Sequence, residues 1–123
     1  MAAKSLDITA LDITDRIERI DSCEKRFDIR LEALSAFLKD EYGDRQISVC
    51  GEIHLAVGTE ISCDITLAFA AYDSNGRLIG LEEKSFDAEK FFAFDLFDIK
   101  FSVPKFSVPK CKIEKLRIFP KKC

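Results

Sequence analysis

The chain has one histidine, His54, so any Ser-His-Asp or Cys-His enzyme would have to be built on that residue. Its five glycines stand apart at Gly43, Gly51, Gly58, Gly76 and Gly80, which leaves no Gly-rich loop to cradle a phosphate. No long uncharged apolar run occurs, so no membrane span is expected, and the opening Met-Ala-Ala-Lys-Ser-Leu-Asp lacks the apolar stretch of a secretory leader. The five cysteines, Cys23, Cys50, Cys63, Cys111 and Cys123, form no close pair. That spacing disfavours a disulfide framework and points to a cytoplasmic protein with reduced thiols. No Asp-x-Asp-x-Asp-Gly series is present to hold calcium, and no cofactor is expected.

What the 123 residues do hold is enough apolar material, 47%, for one core, but too little length for two ordinary domains. Charge is segregated along the chain. Residues 46–99 carry 3 basic and 10 acidic groups, residues 100–123 carry 8 and 1, and the whole chain nets -3. A nucleic-acid footprint needs a net positive face, so nucleic acid is not an expected partner. The basic residues between Lys100 and Lys122 can guard a strand edge, pair with the acidic middle, or bind an acidic partner.

Leu6, Ala10, Ile13, Ile17, Ile20, Glu24, Phe27, Leu31, Leu34 and Leu38 recur at spacings of four and three, interrupted only by Glu24. Such a ladder predicts a long amphipathic, coiled-coil-like helix from about Leu6 to Tyr42, stopped by Gly43. A helix of that length, roughly 50 Å, would overhang a domain of about 80 residues and leave its stripe to other copies of the chain. The expected oligomerisation residues are Leu6, Ile13, Ile17, Ile20, Glu24, Phe27, Leu31, Leu34 and Leu38, with dimer and trimer both open. Glu24 would set register at some cost in stability. A competing reading breaks the helix at Asp21-Ser22-Cys23-Glu24, which resembles a capping box, and packs the pieces within one chain; Leu6-Asp7-Ile8-Thr9-Ala10 could equally alternate as a strand.

From Gln46 onward the period is two. Ile47, Val49, Gly51, Ile53, Leu55 and Val57 alternate with Ser48, Cys50, Glu52 and His54, and a second strand runs from Ile61 to Tyr72. Asp73-Ser74-Asn75-Gly76 predicts a hairpin loop, followed by a third strand from Arg77. Seven phenylalanines between Phe86 and Phe106 predict a strand covered on both faces, and a last strand is expected at about Lys112 to Phe119. Phe101-Ser102-Val103-Pro104-Lys105 repeats as Phe106-Ser107-Val108-Pro109-Lys110, marking an edge, a bulge or a crossover.

Phe69-Ala70-Ala71-Tyr72-Asp73 with the following Gly76 and Gly80 resembles the Phe-x-Leu-Tyr-Asp signature of the FxLYD domains, small bacterial immunoglobulin-like sandwiches, with Ala71 in place of the motif leucine. Val49-Cys50-Gly51-Glu52-Ile53 is similar to that family's Gly-centred first strand. The resemblance implies a β-sandwich without an active site, and it carries no functional residues across.

The expected fold is therefore α+β: residues 1–43 a helical oligomerisation segment, residues 44–123 an antiparallel immunoglobulin-like sandwich. The expected function is a non-enzymatic interaction or scaffold module that self-associates through its helix. One alternative is a small hydrophobic ligand held between helix and sheet. Another is catalysis or zinc chemistry, using His54 with Cys50, Cys63 and Cys111, although Cys50 and His54 would lie about 13 Å apart along one strand face.

Overall fold

Short strands, a 3-10 turn and one short helix occupy the segment where the heptad ladder begins, and the end of that ladder falls on a bulged strand. The computed structural model describes residues 10–41, 44–103 and 113–121. Strands β1 (Ala10–Asp12) and β2 (Ile17–Arg19) flank a 3-10 turn at Thr14–Arg16. A short helix, α1 (Asp21–Arg26), precedes β3 (Ile29–Glu41), β4 (Asp44–Leu55), β5 (Ile65–Tyr72), β6 (Leu78–Phe86), β7 (Phe94–Val103) and β8 (Lys115–Lys121). The strands form two sheets, ordered β1-β3-β4-β7 and β2-β8-β5-β6. All neighbours are antiparallel except β2 and β8, which run parallel.

The long N-terminal helix is thus corrected to strands, and the fold from α+β to mostly β: no helix among the described residues reaches seven residues. The reason lies in β3. Its buried residues begin at odd positions, Ile29 and Leu31, and end at even ones, Ala36 and Leu38, because the register with β4 slips between Glu32 and Ser35. One extra residue on β3 at that slip turns a spacing of two into a mixture of threes and fours. Leu31, Leu34 and Leu38 therefore imitate a helical stripe while belonging to one bulged strand. Ala33 carries the distortion in a left-handed conformation (φ 54°). Further upstream, the β-branched Ile17 and Ile20 favour extended backbone, Ile17 opening β2 and Ile20 leading into α1.

The boundary at residue 43 does not separate two packing units. β3 and β4 pair across it from Ile29↔Leu55 to Glu41↔Asp44. The core between the sheets draws Ile13, Ile29 and Leu31 from one side of that position, and Ile47, Ile53, Leu67, Phe69, Leu116 and Ile118 from the other. The N-terminal segment touches both sheets: β1 pairs with β3, the N–H of Ile13 donates to Ala36 O at 2.9 Å, and β2 pairs with β8. The Phe97 ring meets Phe69 across the core at 5.6 Å. Gly51 leaves room for it, since a Cβ there would come within 2.9 Å of Phe97 Cζ and 2.6 Å of Leu34 Cδ2.

The phenylalanine strand is covered on one face only. Phe97 and Phe101 are buried, while Phe92, Phe94 and Leu96 are 66%, 50% and 61% exposed. The repeat following Val103 lies outside the described residues. At the β5–β6 hairpin, Asp73 Oδ1 accepts the backbone N–H groups of Asn75 and Arg77, each at 2.9 Å, so a buried carboxylate closes the turn.

Candidate functional site

The residues expected to bind another copy line the interior instead. Ile13, Leu31 and Leu38 are core, and Ile17, Phe27 and Leu34 pack against it, with Ile20 half-buried; Leu6 lies outside the described residues. Glu24 is only 4% exposed and has an intrachain role. Its Oε1 accepts from Arg19 Nη2 at 2.8 Å, its Oε2 from Arg19 Nε at 3.0 Å, and Oε1 also accepts the Leu31 N–H at 3.2 Å. The carboxylate therefore joins β2, α1 and the start of β3, and it holds the Arg19 guanidinium above its ordinary pKa. The helix break expected at Asp21 is where α1 starts, but Ile20 is the N-cap and no side chain caps it.

The outer face of the first sheet carries the chemistry. Register places Arg30, His54 and Phe94 in one row, Glu32, Glu52 and Leu96 in the next, and Ser35, Cys50 and Asp98 in a third. His54 Nε2 lies 2.8 Å from Glu52 Oε1 and 3.8 Å from Glu32 Oε1. Arg30 Nε donates to Glu32 Oε2 at 3.0 Å. The imidazole stacks on Phe94, centroids 5.1 Å apart and planes 12° from parallel. A shallow cavity of about 360 Å³ opens beside the bulge, between Ala33, Cys50 and Leu96.

Cys50 and His54 share a face but occupy rows two apart, and Cys50 Sγ sits 3.5 Å from Ser35 Oγ rather than on the imidazole. Cys63 is disulfide-bonded, while Cys23 and Cys50 are free. This corrects the expectation of a chain of wholly reduced cysteines, and it takes Cys63 out of the zinc set with His54. Glu32 and Glu52, which do meet His54, drew no attention in the sequence. Glu52-x-His54 on one strand face was a readable signal, whereas Glu32 needs the register of β3. Asp95 Oδ1 accepts the adjacent Leu96 N–H at 2.8 Å, a local bond within β7.

On the opposite sheet Lys115, Arg117 and Lys121 pair with carboxylates of the same chain. Glu18 lies 2.5 Å from Arg117 Nε and 3.7 Å from Lys115 Nζ, and Lys121 pairs with Glu83. The hydrogen bond from Arg117, assisted by the charge of Lys115, holds the Glu18 carboxyl below its ordinary pKa. At one end of the sandwich a second cleft, about 380 Å³, lies between α1 and the loop joining β4 to β5; Phe27, Leu55, Ile61 and Ile65 supply its apolar wall and Arg26 and Glu60 its polar rim. No helix among the described residues is long and apolar enough to cross a membrane. Family models, curated proteins and solved structures offer no match to this chain.

Proposed function

We propose that the chain is a non-enzymatic interaction module that associates with a second copy of itself through the edge of β7. The observation that carries this reading is an open strand edge of ten residues, β7, paired only with β4 among the described residues and flanked by the exposed Phe92, Phe94 and Leu96. Unpaired strand edges next to apolar side chains favour strand addition. The strand is also self-complementary. In an antiparallel pair centred on Ile99, Asp98 of each copy stands opposite Lys100 of the other, and Leu96 opposite Ser102. The other long edge, β6, is less suited, because Glu82 opposes the buried Phe69 and so turns a charge inward.

The arrangement around His54 supports a non-enzymatic role, since its Nε2 faces carboxylates and, among the described residues, no thiol or hydroxyl nucleophile is brought to it. The FxLYD-like resemblance supports the same reading. Sedimentation equilibrium tests it: the wild-type chain dimerises at concentrations up to about 1 mM, as expected of a small interface. Lys100→Asp weakens the dimer about tenfold or more by opposing like charges, and Asp98→Lys/Lys100→Asp restores it. A monomer throughout, or a dimer indifferent to both changes, refutes the proposal.

A second reading is favoured by the cleft beside α1, whose apolar wall suits a small hydrophobic molecule. Titration with a fluorescent fatty-acid probe checks it. Binding abolished by Ile61→Asp supports this reading, and absence of binding removes it.

A further inference from the structure

We infer that Glu32, Glu52 and His54 form a surface site for a first-row divalent cation of the zinc type. Their donor atoms all lie within 4.8 Å of one another. Ligand atoms around a tetrahedral zinc ion stand about 3.4 Å apart, and the distances from Nε2 to the two carboxylates, 2.8 and 3.8 Å, bracket that spacing. The three groups come from two neighbouring strands in fixed register rather than from loops. Glu32 and Glu52 are directly opposed in the ladder, where like charges repel and a cation between them would relieve the repulsion.

The surroundings hold each ligand in place. Arg30 takes Oε2 of Glu32 and leaves Oε1 directed at the imidazole. Phe94 stacks on His54 and fixes the ring plane, so Nε2 faces the carboxylates. The bulge after Glu32 ends the regular ladder there, with Ala33 in its left-handed conformation. One imidazole and two carboxylates suit zinc or cobalt and leave coordination positions open to water. Calcium and magnesium favour more oxygen donors than this site offers.

Because His54 is the sole histidine, its ring nitrogens are unambiguous in a long-range proton–nitrogen NMR spectrum. Added Zn²⁺ is expected to shift the Nε2 resonance saturably. Glu52→Gln and Glu32→Gln each weaken that response about tenfold or more, and His54→Asn abolishes it. All three side chains lie on the outer sheet face, and an unchanged urea midpoint without metal separates loss of a ligand from loss of the fold. Co²⁺ should give visible absorption without a thiolate-to-cobalt charge-transfer band. Zinc uptake that leaves Nε2 unmoved, cobalt bands dominated by thiolate, or wild-type affinity in both glutamine variants would each overturn the inference.

Discussion

Replacing Glu24 by leucine separates two accounts of the N-terminal third with opposite signs. In a coiled coil, leucine at the one polar seam position stabilises the helix and its assembly. In the sandwich, the same change deletes the acceptor of a buried backbone N–H, that of Leu31, and the forked partner of Arg19. An unsatisfied buried N–H costs about 1 to 3 kcal/mol. Arg19, with its side chain 42% exposed, returns largely to water, so the lost ion pair adds about 1 kcal/mol at most. The added apolar contact of leucine offsets part of this, leaving an expected net loss of about 1 to 3 kcal/mol. Urea denaturation followed by circular dichroism reads this directly, and Glu24→Gln, which keeps an acceptor for Leu31, should lose about half as much. A Glu24→Leu chain as stable as wild type, or more so, would refute the role assigned to this carboxylate.

Gly51→Ala should destabilise by about 1 to 3 kcal/mol in the same assay, because the new methyl collides with Leu34 and with the Phe97 ring that fills the core. Ala33→Gly should be neutral or stabilising by up to about 1 kcal/mol, since glycine relieves the left-handed strain at the bulge while costing some unfolded-chain entropy. Stability should fall as pH drops through the carboxylate range. Glu18 and Asp12 have pKa values lowered in the folded state, by the Arg117 hydrogen bond and by the side-chain and backbone hydrogen bonds of Thr14, so the unfolded chain binds protons first. Their contribution is complete above the ordinary carboxyl values and lost below the lowered ones; Glu18→Gln should flatten that part of a urea-midpoint profile against pH.

The strands after residue 45 were legible because they obey a period of two without interruption, as Ile47, Val49 and Ile53 do in β4 and Leu67, Phe69 and Ala71 in β5. The turn at Asp73 was legible for the same local reason: its chemistry lies within five residues. The N-terminal third misled because one extra residue at Ala33 reverses the parity of β3, and parity is what distinguishes a strand from a helix in an apolar pattern. That β7 is an edge, with Phe94 and Leu96 open to solvent, depends on strand order, which apolar composition does not encode. At the His54 cluster the i, i+2 neighbour Glu52 could be read from β4 alone. Glu32 could not, because it enters through pairing between strands.

The parallel pairing of β2 with β8 joins Ile17 to Leu116, about a hundred positions later in the chain. β8 also lies between β2 and β5, so the second sheet has no continuous middle until β8 arrives. During synthesis on a ribosome, the early residues must therefore wait for about a hundred further residues before their ladder can close. Throughout that wait Ile17 lacks its eventual neighbour, which makes this the interval in which a nascent chain is most exposed to a protease or in need of a chaperone.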